Sequence, residues 1–134
     1  MWNHLETPTF YNSHICLLGD SAHASTPHQA ANAGQALEDA AVLSHMLGLV
    51  TAPSEIPLAF KAYDGVRRPR AQKVVTTSLE CGRVYALMSE ETGDDREKIV
   101  KNLRQRWQWI WGHDLSVDVR KAEDEFRGVG IVKT

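Results

Sequence analysis

The chain has 134 residues, 43% of them apolar and 24% charged, which fits one water-soluble globular unit and excludes a disordered, collagenous or disulfide-stapled chain. Its formal net charge of −2 argues against a protein built to coat nucleic acid or an anionic membrane. No apolar run approaches the roughly 20 residues of a spanning helix, and the N-terminus shows no secretory signal. Cys16 and Cys81 lie far apart and form no CxxC pair; they point to a reducing, cytoplasmic compartment and to neither a metal site nor a disulfide framework.

Along the chain, residues 1–14 are irregular, with Pro8, Asn12 and Ser13 as turn formers. Ile15-Cys16-Leu17-Leu18, closed by Gly19-Asp20, reads as a buried parallel strand. Residues 21–33 are rich in Ala, Ser, Thr, Pro and His without periodicity, which predicts a loop. A helix follows over about 34–49, with Leu37, Ala40, Ala41, Leu43, Leu47 and Val50 on its apolar face. A second helical pattern runs over 57–68 and is ended or kinked by Pro69. The 3.6-residue period resumes over 70–88 through Ala71, Val74, Val75, Ser78, Gly82 and Tyr85. Thr92-Gly93-Asp94-Asp95 marks another helix start, Ile99, Leu103, Trp107 and Trp111 form its stripe, and Gly112-His113 marks its stop. A last amphipathic piece spans about 117–127, and the tail offers Ile131-Val132 as a weak strand.

One strand followed by four or five helices is a physical problem, because a strand buried on both faces needs neighbours for its amides and carbonyls. Missing strands would belong to another chain or to a larger domain, and a lone strand would favour self-association through its open edges. The chain therefore reads as one partial domain over 1–134, a strand–loop–helix unit at 8–50 and a helical region at 55–134.

The segment from Gly19 to Ala40 carries the chemistry. An acidic residue at the carboxyl end of a strand, here Asp20, is a natural acceptor for sugar hydroxyls. A loop of small residues lets backbone approach a flat ligand, and a helix start after it aims unpaired amides at electron-rich oxygen. ICLLGDSAHASTPHQAANAGQALEDAAVL resembles the second flavin-binding motif, the Gly-Asp motif, of group A FAD-dependent aromatic hydroxylases, most of all the salicylate hydroxylase-like branch with its pattern LLGDAAHASTPHQGAGAGQAIEDA. Tyr63-Asp-Gly-Val-Arg-Arg-Pro-Arg-Ala-Gln72 and Trp107-Gln-Trp-Ile-Trp-Gly-His-Asp-Leu115 resemble C-terminal helical segments of fungal members.

The resemblance implies an α/β fold by descent, with one buried strand of a FAD-binding sheet and a mainly α-helical C-terminal region. It implies that Gly19 and Asp20 contact FAD, Asp20 at a hydroxyl of the ribityl-to-ribose region. Pro27 would sit beside the isoalloxazine ring, Ala33 and Gly34 would offer amides to the flavin C2 carbonyl, and His28 would face the aromatic substrate. The family's chemistry is NAD(P)H-dependent hydroxylation of salicylate-like phenols, with the flavin carrying the redox steps. Its GxGxxG fingerprint and central Asp-Gly motif do not occur here, and Asp64-Gly65 sits inside a helical pattern. The family's glycines are replaced by Ala30, awkward if its φ is positive, and by Asn32, which tolerates such a φ better. Two functions follow: a FAD-dependent monooxygenase-like protein that is not autonomously active, or a non-redox small-molecule-binding or assembly protein derived from a flavoenzyme. On chemistry alone, His23 is expected to be structural, Arg67, Arg68 and Arg70 to form ion pairs, Trp107 and Trp111 to pack in the core, and Cys16 to be an inert thiol.

Overall fold

The computed structural model describes residues 6–128. Trp2 and the Ile131-Val132 segment lie outside the described residues. The fold class is the expected one, a small β element followed by helices. Strands β1 (Tyr11–Asn12) and β2 (Ile15–Cys16) form an antiparallel hairpin with Tyr11 opposite Cys16 and Asn12 opposite Ile15. Ser13, at the first loop position, has φ 54°, the turn conformation a two-residue hairpin loop asks for. The buried parallel strand predicted at 15–18 is thus corrected. Ile15 is 71% and Leu18 41% exposed, and among the described residues β2 has a neighbour on one edge only.

The segment predicted as a loop also contains helical turns, α1 (Asp20–His23) and a 3₁₀ turn at Pro27–Gln29. Helix α2 spans Asn32–Gly48, α3 Ile56–Tyr85, α4 Arg96–Trp111 and α5 Leu115–Phe126. Helix α3 runs through Pro69 rather than ending there. The proline points to solvent, and residues on both sides of it (Ala62, Tyr63 and Arg67 before, Ala71 and Val74 after) are buried. Tertiary packing on either side outweighs the roughly 3 kcal/mol a helix-interior proline costs. Asp95 caps α4 by accepting from the amides of Glu97 and Lys98, and Asp114 caps α5 through Ser116.

The core joins Phe10, Ala22, Val42, Met46, Ala59, Ala62, Tyr63, Ala71 and Ala122, so α2, α3 and α5 meet largely through small side chains. Of the apolar face expected for α2, Leu43 and Val50 pack against the core, but the rest is turned outward. Leu37 is 73% and Leu47 41% exposed, while Gln35 and Asp39 join Val42 and Met46 inside. Charge pairing with α3 causes this inversion, since Asp39 and Gln35 meet Arg67 there. Trp111 is likewise 76% exposed, stacked on the half-buried Trp107 at 5.1 Å, so only Ile110 of that end of α4 is buried. Trp109 lies beside α3, with Lys73 Nζ 4.2 Å from its ring centroid.

Candidate functional site

The site begins at a backbone corner. Gly19 has φ 59° and ψ −140°, a conformation L side chains rarely adopt, and an added Cβ would lie 3.3 Å from Ala36 Cβ. Its carbonyl accepts from the amides of Ala22 and His23, and its own N–H donates to Asp39 Oδ2 at 3.0 Å. The chain thereby turns sharply enough to leave Asp20 exposed at the start of α1. Asn32, the first residue of α2, donates its Nδ2 to Asp20 Oδ1 at 2.5 Å. The second oxygen of Asp20 has no partner among the described hydrogen bonds and is open to a hydroxyl donor.

Behind this carboxylate lies a buried polar network. His23 is fully buried, with Nε2 2.5 Å from Asp39 Oδ2 and Nδ1 3.3 Å from Asn32 Oδ1. Arg67, also fully buried, donates Nε to Asp39 Oδ1 at 2.9 Å, Nη1 to Glu38 Oε2 at 2.7 Å and Nη2 to Gln35 Oε1 at 2.9 Å. Arg70 grips both oxygens of Glu38, at 2.7 and 2.9 Å, and reaches the carbonyl of Ile110. Arg68 pairs with Asp64 one turn earlier. The three arginines are therefore ion-pair partners, two of them interhelical. Burial works against the charge of Asp39, but the hydrogen bonds from His23 and Gly19 and the charge of Arg67 outweigh it and hold its carboxyl below the usual range.

The loop is tied to α3. Ser78 Oγ donates to the carbonyl of Thr26 at 2.5 Å, Thr26 Oγ1 donates to Ser78 Oγ, and Thr77 donates to Gln29 Oε1. Pro27 opens the 3₁₀ turn on the exposed side. His28 points the other way. Its ring fills the notch left by Gly82, where a Cβ would fall 2.5 Å from Cε1, and lies 6.2 Å from the Tyr85 ring. Its Nδ1 is buried and has no hydrogen-bond partner among the described residues. Ala30 does adopt positive φ, 50°, as it closes the turn.

Helix α2 then starts without a side-chain cap, Gln35 N–H being the first amide bonded back, to Ala31 O. The amides of Asn32, Ala33 and Gly34 are the orphan donors of this helix start. Ala33 and Gly34 are exposed, and Gly34 has nothing within 4 Å of an added Cβ. Uncapped donors at the positive end of a 17-residue helix, beside an exposed carboxylate, suit a ligand with both an electron-rich carbonyl and hydroxyl groups. Flavin adenine dinucleotide has both, so the residues present fit it. The described residues hold no cluster of His, Cys, Asp and Glu suited to a metal, and no helix long and apolar enough to cross a membrane.

The sequence singled out Gly19, Asp20, Pro27, Ala33 and Gly34; Asp20, Pro27, Ala33 and Gly34 are exposed and Gly19 is buried. It sets His28 against α3. Asn32 was read only for its backbone tolerance and Arg67 only as an ion pair. The partners that join them to Asp20 and Asp39 come from separate helices, and spacing gives no sign of that.

These elements form a turn and helix start with exposed backbone donors beside one free carboxylate oxygen. No protein-family model matches the chain. It is 42% identical over 136 residues to a FAD-dependent monooxygenase of Gibberella moniliformis, covering 95% of this chain and 31% of that protein. It is 42% identical over 118 residues to a salicylate hydroxylase of Pseudomonas putida (87% of this chain, 27% of that protein). To a 6-methylsalicylate 1-monooxygenase of Aspergillus terreus it is 37% identical over 132 residues (96% and 30%). The solved structure of a salicylate hydroxylase substrate complex superposes with a TM-score of 0.83 at 42% identity, over 87% of this chain and 29% of that one. The chain belongs to the FAD-dependent monooxygenase family that includes salicylate hydroxylase, and it spans less than a third of the length of these relatives.

Proposed function

We propose that the chain forms one wall of the FAD site of a monooxygenase acting on salicylate-like phenols, and that it does not complete the reaction by itself. The observation that carries this reading is the uncapped, exposed start of α2 beside the free oxygen of Asp20. Asp20 would accept from a hydroxyl of the cofactor's ribityl-to-ribose region. Ala33 and Gly34 would donate their amides to the flavin C2 carbonyl, where negative charge gathers on reduction. Pro27 would border the isoalloxazine ring, with Gly19 setting the corner that exposes Asp20. His28, its ring packed in the Gly82 notch of α3 away from Pro27, is given no part in the flavin wall.

FAD, when bound, supplies the electron transfer from NAD(P)H and the activation of oxygen; the residues here bind and orient. The strand–loop–helix unit at 8–50 does that work, and the region at 55–134 buttresses it through Arg67, Arg70 and Ser78. The cytoplasm, where NAD(P)H is available, is the compartment this reading fits. A second reading, a non-redox protein that keeps the loop for small-molecule binding or assembly, is favoured by the carboxamide of Asn32 occupying part of Asp20.

The two separate on one observation. Purified chain is mixed with FAD, desalted, and read by visible absorption. Retained flavin that is lost in Asp20→Ala supports the flavin wall. A folded, colourless protein with unchanged flavin fluorescence supports the non-redox reading.

A further inference from the structure

The contacts along the polar chain from Arg67 to Asp20 favour one arrangement of protons. An ionised carboxylate only accepts hydrogen bonds, so the end of the Asn32 carboxamide that faces Asp20 is its NH₂ group. The other end, Oδ1, therefore faces His23 Nδ1 at 3.3 Å, and Oδ1 can only accept. Nδ1 must carry a proton. On the opposite side of the ring, Nε2 faces Asp39 Oδ2, which already accepts from Gly19 N–H, while Arg67 donates to Oδ1. Nε2 must carry a proton as well. A histidine that donates from both nitrogens is an imidazolium.

We propose that Asn32 is a positioning residue whose carboxamide locks buried His23 as an imidazolium and pins the carboxylate of Asp20, presetting it to receive a hydroxyl of the ligand. The groups around the imidazole agree. Asp39 and Asn32 face it from α2, and Arg67 of α3 reaches it only through Asp39. The Phe10 ring closes the remaining side at 5.9 Å, with Asp64 behind it on the Phe10 amide. Among the described residues no cation is bonded to the ring. Burial disfavours the charged form, but the hydrogen bond and charge of Asp39, then the bond to Asn32 and one to the backbone of His23 itself, carry the imidazole above its ordinary value. Fixing Asp20 in advance removes side-chain ordering from the cost of binding. Asn32 Nδ2 takes Oδ1 and leaves Oδ2 for the ligand.

The step from a pinned Asp20 to FAD rests on the function proposed above; the state of His23 does not. The test uses the full chain, ¹⁵N-labelled, near pH 7, with the histidine rings observed by long-range ¹H–¹⁵N correlation. His23 is expected with both ring nitrogens protonated. Asn32→Gly is expected to convert it to the neutral form with the proton on Nε2 only. Asn32→Asp is expected to restore the imidazolium, because it keeps an acceptor at Nδ1, while repelling Asp20. FAD affinity, read by quenching of flavin fluorescence, is expected to fall about tenfold in Asn32→Gly and further in Asn32→Asp. Circular dichroism of each variant shows whether it is folded.

A neutral His23 in the unmodified chain overturns the lock whatever the flavin does. So does an imidazolium that survives Asn32→Gly. Unchanged FAD affinity in both variants overturns the presetting of Asp20. An intact His23 signature with no flavin bound by any form overturns the FAD-site reading and leaves the lock standing.

Discussion

At the residue scale, Ala30 is a strained position whose cause is local. A non-glycine residue at φ 50° brings its Cβ against the following carbonyl, which costs about 1–2 kcal/mol, and glycine avoids this at an entropic cost of about 0.5–1 kcal/mol. Ala30→Gly should therefore raise stability by up to about 1 kcal/mol, read as a higher midpoint in urea with unchanged slope. A lower midpoint would show that the turn is held some other way. Asp39 and His23 set the pH range of the fold. The folded carboxyl of Asp39 lies below its ordinary 3.8, so its stabilisation is complete above that value and is lost as pH falls through the lower, folded value. His23 lies above its ordinary 6.5, so its contribution is full below 6.5 and fades as pH rises through the raised value. Stability measured against pH should hold between these limits and fall on either side, the acid limb shrinking in Asp39→Asn while Glu38, also held below its ordinary value by Arg70 and Arg67, keeps part of it. Cys16, by contrast, has its thiol pushed up to about 12 by burial and the charges of Asp64 and Asp39, which makes it the inert sulfur its sequence position implied.

At the scale of elements, α3 is the beam on which the site is built. Its inner residues hold the loop through Ser78 and Thr77, the start of α2 through Arg67, and His28 through the notch at Gly82. An alanine at 82 would place a methyl 2.5 Å from the His28 ring. Overpacking of this kind costs about 1–3 kcal/mol, while replacing glycine in a helix returns about 1 kcal/mol, so Gly82→Ala should lose at most about 2 kcal/mol. It should also shift the His28 ring resonances, and an unmoved ring would show that the notch does not hold it. Helix boundaries were legible in the sequence where caps or breakers set them: Asp95 opens α4 and Gly112 follows its last residue. Pro69 was misleading because the break is a local preference, and the buried residues flanking it settle the conformation by contacts distant in sequence.

At the scale of the whole molecule, the side of α2 opposite Arg67 is the unusual surface. Leu37, Ile15 and Leu18 are exposed, and Ala33, Ala40 and Ala41 share the outward side of α2. Exposed large apolar side chains on β2 and α2, together with the unpaired edge of the small hairpin, favour association. The chain is expected to self-associate in sedimentation velocity at micromolar concentration. Leu37→Lys combined with Ile15→Thr should shift it toward monomer without loss of helicity. A monomer in the unsubstituted chain would contradict the expectation.

The sequence by itself determined the family, the small-residue loop with Gly19 and Asp20, the order of the helices and the chemistry the exposed residues can offer. All of these follow from residue identity and near-neighbour spacing. Only the tertiary structure decided which face of α2 is inside, that β2 pairs backward with β1, that helix α3 passes through Pro69, and that Asn32 stands between Asp20 and His23. Those depend on pairings such as Arg67 with Asp39. The free energy of such a buried ion pair is set by burial and geometry between separate helices, and a linear pattern of residues carries neither.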